Sequence, residues 1–520
     1  MQVEGLHVAA PAKRRIDRVF LACAACLVGG LAGRAALLSQ APAHSFLLDH
    51  LDYLAWGQRA AERGPAGVYD ADPLPGLVTR VPPRYSRSAE PVALFAPNAC
   101  NYPPGSIYLF WLQGTVWRAL DSELRTAVPD RRMARHFGHD GSPITSRLAN
   151  SHLSRWVIAA PALALDVLLA LGVAALVATA ARDRADARVL AAIAFCVCIL
   201  APPIALNSAF WNQTDAWVCA PLVWTLVLLA QRRFAWSGAV YGAALLVKAQ
   251  AILLAPVLLF AWLAILLWRD GPGASGGATA AGDLPKAGEW RPAAWSGLGA
   301  FVLGWGLVVA AGVAPFVADG AMREHGDPWR WLQRGYLDPI LKHHDQTTLN
   351  AYNLWWLDFL ATGRKDTAEP LLGLRRDALG KLLLAGVILL AGGWCWRRWG
   401  GGPAAWVALG CVVLLAAFAL PTRVHDRYIY YCLPLLISAA ACYPRYILPA
   451  AAIVIVGSVE MSWFLWYDEG PLPESMRLPT AVMAVLVLGS LAWCVGCCVV
   501  APPRVRRGAL ATLGRVVSGG

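Results

Sequence analysis

The chain has 520 residues, of which 58% are hydrophobic and only 15% charged, with a mean hydropathy of +0.49. Soluble globular domains carry about 25% charged residues, so the composition excludes a set of ordinary soluble domains and points to an all-α polytopic membrane protein. The net charge of +12 does not indicate nucleic acid, because the basic residues gather at the ends of apolar runs, where they act as orientation signals.

Apolar runs of the length needed to cross about 30 Å of hydrocarbon recur from end to end. They predict about twelve transmembrane helices, at 18–38, 156–180, 187–207, 215–230, 235–249, 250–268, 296–318, 379–397, 404–420, 428–443, 446–466 and 480–500. Arg34 and the lack of a small-x-small cleavage site mark the first run as a retained span rather than a cleaved signal. The pair 235–249 and 250–268 is expected to form a tight hairpin. Lys13, Arg14, Arg15 and Arg18 place the N-terminus in the cytoplasm. Counting from there, Arg182, Arg184 and Arg188, then Arg232 and Arg233, Arg269 with Lys286, Arg397 and Arg398, Arg445, and the tail with Arg504, Arg506 and Arg507 all fall inside.

That count leaves no room for a thirteenth crossing at Pro103 to Leu120. The segment is therefore expected as an interfacial helix inside one long external loop, 39–154. Arg131, Arg132 and Arg135 then lie outside, which long loops tolerate. A second external loop covers about 319–378. The link 269–295 is Gly/Ala/Ser-rich and reads as a flexible linker. No internal repeat is visible. The thirteen cysteines follow no metal-ligand spacing; most sit in apolar runs as small hydrophobes. Cys100, in a polar loop, is the one candidate for disulfide pairing.

Polar groups at membrane depth are costly and usually functional, and four clusters fall on the external side of this topology. In the first, Asp49, Asp52, Tyr53 and Trp56 share a face if 49–63 is helical. Carboxylates there serve either as helix caps or as a general base toward a sugar hydroxyl. The second, Asn101-Tyr102-Pro103-Pro104-Gly105, sets an extended entry to the following helix. The third joins Trp211-Asn212-Gln213-Thr214-Asp215 to Lys248-Ala249-Gln250; the lysine either snorkels or holds a phosphate. The fourth, Thr422-Arg423-Val424-His425-Asp426-Arg427-Tyr428, puts two arginines in a short external link. Either an internal Arg–Asp pair or anion binding explains them.

Taken together, these stretches resemble the GT-C superfamily of lipid-phosphate-sugar-dependent glycosyltransferases. They are most similar to the dolichyl-phosphate-glucose-dependent glucosyltransferases of N-glycan assembly and their bacterial relatives. The resemblance is carried, in order, by Asp49 through Trp56 with Gly64 and Tyr69, Asn101 to Pro104, Arg155 with Asp166, Trp211 to Asp215, the 246–251 stretch, Asn350-Ala-Tyr-Asn353-Leu-Trp-Trp, and His425 to Tyr428. It spans residues 49–431; each motif alone is weak, and their succession is the specific part.

The resemblance implies an inverting transfer of a hexose-type sugar. It implies a module over 18–378, C-terminal transmembrane helices over 379–500, a cytoplasmic segment 1–17 and a basic tail 501–520. The family's base lies seven positions before the loop's Trp, which here is Asp49, with Asp52 as a second candidate. Lys248, Arg427 and His425 are implied to bind the donor phosphate. Tyr53, Trp56, Tyr102, Gln213, Asp215, Gln250, Asn350, Asn353, Asp426 and Tyr428 are implied to contact donor or acceptor. Where the family often has His-Glu, this chain has His425-Asp426, which leaves that contact open.

The expected partners are a polyprenyl-phosphate sugar, a glycan, lipid-linked or protein acceptor, and the bilayer, with no nucleic acid. The setting is a multi-pass membrane protein, as in a bacterial inner membrane with its site facing the periplasm. No cofactor is expected; a divalent metal is left open at His343, His344 and Asp345. The rival readings are a lipid-linked sugar flippase or transporter, a non-catalytic scaffold, and an enzyme using a diphosphate donor such as an O-antigen ligase.

Overall fold

The structure, a computed structural model, describes residues 10–70, 93–94, 100–121, 144–145, 151–267, 290–322, 326–341, 346–466 and 472–500. Arg131, Arg132, Arg135, His343, His344, Asp345, most of the 269–295 linker and the tail beyond 500 lie outside these residues.

The described chain is helical almost throughout. In order, the helices are α1 (Ala10–His44), α2 (Leu47–Arg63), α3 (Pro104–Leu120), α4 (His152–Ala180), α5 (Ala187–Leu200), α6 (Ala216–Ala230), α7 (Phe234–Val247), α8 (Ala255–Leu267), α9 (Trp290–Met322), α10 (Leu354–Thr362), α11 (Arg376–Arg398), α12 (Pro403–Ala419), α13 (Leu433–Cys442), α14 (Ile447–Trp466) and α15 (Glu474–Val499). Strands among the described residues are confined to two-residue pairings, the one at the site being Thr348–Leu349 parallel to Val424–His425.

Among the described residues, seven helical stretches are long and apolar enough to cross a membrane, and an eighth qualifies if a bent pair counts as one. That pair is α5 with Pro202–Phe210, which turns by 48° at Ala201. Pro202 and Pro203 explain the bend, since each lacks a backbone donor and its ring crowds the preceding turn. The sequence predicts one span at 187–207; two adjacent prolines bend it. Every one of the other eleven predicted runs is helical over most of its length, but α6, α7 and α12 are shorter, with 15, 14 and 17 residues. Two runs open differently from expectation. Ala249–Leu254 is a 3₁₀ turn leading into α8, and Asp426–Cys432 is a 3₁₀ turn leading into α13.

The centre of the bundle is α12, which is buried at every position from Ala405 to Ala419. A helix apolar on all sides must be enclosed by other helices, and α11, α13, α15 and the turn before α8 surround it. Helices α2 and α3 form a separate layer beside α4. They cross at glycines: a Cβ on Gly114 would overlap the Gly57 carbonyl, and one on Gly57 would sit 2.7 Å from the Phe110 carbonyl oxygen. Small residues let the two backbones touch, and this contact sets the orientation of the helix that carries Asp49. All thirteen cysteines are free thiols, and Cys100 is buried. Cys100 is thus not a disulfide partner; it packs in the core beside Tyr69 and Tyr102.

Candidate functional site

Asp49 sits in the first turn of α2, and its side chain does not cap that helix. Instead one oxygen, Oδ2, accepts three bonds from distant segments: Gln213 Nε2 at 2.5 Å, Arg427 Nη1 at 3.1 Å and Trp211 Nε1 at 3.2 Å. The capping alternative is therefore displaced by contacts more than 160 residues away in sequence.

The segment that supplies Trp211 and Gln213 follows a π-type turn, Leu206–Phe210. Asn212 takes φ 60°, a left-handed conformation that asparagine tolerates better than most residues. Arg155 Nη1 donates to its Oδ1 at 3.1 Å, so the reversal is pinned and the side chains on either side of Asn212 face Asp49. Arg427 also lies 5.6 Å from the Trp211 ring, a cation–π distance.

A second ion pair lies beside the first. Helix α7 ends at Val247, and Lys248 is extended at φ −155° before the next turn begins. Its Nζ meets Asp215 Oδ1 at 2.5 Å. Tyr431 donates to the same oxygen at 2.6 Å, and Asn207 donates to the other at 2.9 Å. The rings of Tyr102 and Tyr428 stand 5.6 and 6.0 Å from Nζ. Asp215 is fully enclosed, whereas the Asp49 side chain keeps 22% of its surface. Of the two paired carboxylates, only Asp49 is open to an incoming molecule.

Hydroxyls and amides join these pairs. Tyr53 donates to Gln213 Oε1 at 3.0 Å and shares a 2.9 Å bond with the Tyr102 hydroxyl, to which Thr214 donates at 3.2 Å. Gln250 donates to the Tyr428 hydroxyl at 2.8 Å. Trp56 is buried against Tyr53, Tyr102 and Phe110, so it forms the wall under the site. Asp52 is 4% exposed, on the part of α2 near Cys100.

In the 423–428 link the Arg427 guanidinium turns away from the acid beside it. Asp426 Oδ1 accepts the backbone N–H of Arg427 at 2.7 Å, while the Arg427 guanidinium reaches Asp49. The Arg427–Asp426 ion pair allowed by the sequence is therefore not formed. Burial pushes the Asp426 carboxyl up to about 7, against the lowering effect of the Arg427 charge and N–H. Arg427 Nε is buried with no hydrogen-bond partner among the described residues. A guanidinium carries five donors, so capacity for an anion remains after Asp49 is served.

His425 belongs to the parallel pairing with Leu349 and makes a bridge with Asn350, which stands at φ 62°. Asn353 caps α10: its Oδ1 accepts from the N–H groups of Trp355 at 3.0 Å and Trp356 at 3.2 Å. Its Nδ2 donates to the Phe418 carbonyl. Asn353 is thus committed to structure, tying the start of α10 to the end of α12. Arg155 and Asp166, quoted together in sequence, part company: Arg155 serves Asn212, and Asp166 pairs with Arg34.

Several contributors escape sequence reading. Nothing in the sequence singles out Tyr431 or Asn207 as holders of Asp215. Arg34, Asp166 and Glu460 do carry a signal, since each is a lone ionisable residue in an apolar run and needs a partner. Glu460 accepts the Tyr352 N–H at 2.6 Å and so steadies the 346–353 segment from α14. Among the described residues no group of three or more His, Cys, Asp or Glu side chains is arranged for a metal ion.

A partly open carboxylate bonded to the Arg427 guanidinium, with the Lys248 charge close to that guanidinium, can accept a proton while the cations hold an anion beside it. No protein-family model matches the chain, and neither does any curated protein.

Proposed function

We propose that the protein is a membrane glycosyltransferase that moves a hexose-type sugar from a polyprenyl-phosphate monosaccharide to an acceptor hydroxyl on the non-cytoplasmic face. The observation that carries the reading is the convergence of Asp49, Arg427 and Lys248 from three remote segments into one cluster. One solvent-accessible carboxylate and two anion-binding side chains are what a transfer from a phosphate leaving group requires.

In this reading the chain crosses the membrane twelve times, with its N-terminus in the cytoplasm and α2 and α3 lying at the external surface. The donor phosphate takes the spare donors of Arg427 and the Lys248 ammonium, with His425, Gln250 and Tyr428 beside it. The acceptor hydroxyl approaches Asp49, gives up its proton to the carboxylate and attacks the anomeric carbon. The bond from that carbon to the phosphate oxygen breaks, and its electron pair leaves on the lipid phosphate, where the two cations stabilise it. Configuration at the anomeric carbon inverts.

Arg427 has a double duty here. It holds Asp49 when no donor is present, and an arriving phosphate competes for the same guanidinium. Donor binding then draws the guanidinium off Asp49 Oδ2, which leaves that oxygen open to the acceptor hydroxyl.

Protein reconstituted in liposomes with a polyprenyl-phosphate sugar and a soluble sugar acceptor tests the reading. Release of polyprenyl phosphate with a new glycosidic bond is the expected result. Movement of intact sugar-lipid across the bilayer without cleavage would overturn it in favour of a flippase.

A further inference from the structure

We propose that the intramembrane ion pair Arg34–Asp166 positions the Asp49 site, acting through Tyr430 on one side and Ser208 on the other. The proposal rests on Arg427 being a phosphate ligand, as argued above.

Both residues of the pair are sealed, each 1% exposed. Arg34 Nε meets Asp166 Oδ2 at 2.9 Å. Arg34 Nη1 donates to the carbonyls of Ile199 at 2.7 Å and Gly30 at 3.1 Å. The guanidinium therefore ties α1, α4 and the end of α5 together. Asp166 passes the constraint on. Its Oδ2 also accepts from Ser208 at 2.5 Å, and its Oδ1 accepts from Tyr430 at 3.0 Å.

These two hydroxyls belong to the two segments that grip Asp49. Ser208 lies in the π-type turn immediately before Trp211 and Gln213. Tyr430 lies in the 3₁₀ turn Asp426–Cys432. A 3₁₀ turn has 3.0 residues per turn, so positions three apart stand on one side. Arg427 and Tyr430 are such a pair, as are Tyr428 and Tyr431. Anchoring Tyr430 fixes the side of the turn that presents Arg427, while Tyr431 on Asp215 fixes the side that presents Tyr428. One carboxylate deep in the bundle thereby sets both the cation and the amide that hold the base.

Bundle stability alone does not account for this choice of residues. A buried ion pair is often replaceable by apolar side chains at no loss of stability, and an arginine and an aspartate within apolar runs are costly to insert. Their use here is orientation.

The test uses full-length protein in nanodiscs. Tyr430→Phe removes only the hydroxyl. The loss of one hydrogen bond to a charged acceptor should raise the KM for polyprenyl-phosphate sugar, and the Kd for polyprenyl phosphate alone, by about tenfold, with kcat within about twofold. Amide hydrogen exchange over 424–432 should quicken, while exchange in α12 stays unchanged. Ser208→Ala should quicken exchange over 206–213 and lower kcat more than it raises KM, because Gln213 and Trp211 hold the base and not the phosphate. Unchanged exchange over 424–432 in Tyr430→Phe would overturn the proposal. Faster exchange with an unaltered Kd for polyprenyl phosphate would also overturn it, leaving the pair as scaffolding. If the wild-type protein binds polyprenyl phosphate but transfers no sugar, the transferase reading fails while the Kd and exchange measurements still decide the anchor.

Discussion

Replacing Asp49 by Asn keeps the size of the side chain and its ability to accept a hydrogen bond, and removes its charge and basicity. Oδ2 now takes bonds from Gln213, Arg427 and Trp211 at 2.5, 3.1 and 3.2 Å. The Gln213 and Trp211 donors can still be served by an amide oxygen. The charged bond to Arg427 is lost, and such bonds contribute roughly 1.5–3 kcal/mol. With 22% of the Asp49 side chain and 12% of the Arg427 side chain open to solvent, screening places the expected loss of stability near the low end of that range. Removal of a general base lowers turnover by about 10²- to 10⁴-fold, which corresponds to roughly 3–5 kcal/mol on the barrier. Turnover should therefore fall far more than stability. Sugar transfer measured alongside thermal unfolding of the same preparation separates the two. Turnover in Asp49→Asn within tenfold of the unmodified protein would refute the assignment of the base.

Four other predictions probe the surrounding structure. Arg427→Ala should weaken binding of polyprenyl phosphate by about tenfold or more, since a charge-assisted bond is lost; equal affinity in a titration would remove Arg427 from the phosphate site. Lys248→Met leaves Asp215 buried without its cation and should destabilise the fold by about 3–5 kcal/mol, and adding Asp215→Asn should recover much of that loss in thermal unfolding without restoring donor binding. Gly114→Ala places a methyl group against the Gly57 carbonyl and should cost about 1–3 kcal/mol through forced separation of α2 and α3; an unchanged thermal midpoint would contradict the close crossing. Asp426 is raised to about 7 by burial, so between its ordinary range near 4 and pH 7 the folded protein holds a proton that the unfolded chain releases. Its contribution makes stability fall as pH rises through that window and level off above it. In Asp426→Asn this component should vanish, which thermal midpoints from pH 5 to pH 8 would reveal as a flatter profile.

Local chemistry explains which parts of this arrangement could be read from the sequence. Apolar runs set helix positions because hydrocarbon leaves the backbone no other partner, so every predicted run falls on a helix. The helical character of Pro103 to Leu120 was legible from the same rule, and its place beside α2 is a contact between Gly57 and Gly114 that no single segment encodes. The bend at Ala201 was written in Pro202 and Pro203 and hidden by the apolar residues around them. Asp49, Lys248 and Arg427 stood out because charge at the ends of apolar runs is conspicuous. Which acid meets which base was not visible, since Arg427 bypasses the adjacent Asp426 for an aspartate 378 positions away, and Asp166 bypasses Arg155 for Arg34. At this site neighbours in sequence are poor partners for a physical reason, although elsewhere Arg184 pairs with Asp186 and Arg375 with Asp377. In a short turn an arginine and the acid beside it point to different sides, and the turn is worth most when each side chain ties down a different helix. The same logic accounts for Asn353 and Tyr431, one an ordinary amide and the other one of two adjacent tyrosines. The Asn353 cap is local, on N–H groups two and three residues on, whereas its bond to the Phe418 carbonyl and the hold of Tyr431 on Asp215 exist only once 346–353 and 424–432 lie against the bundle. A charged residue in an apolar run announces that it has a partner, and the fold alone names it.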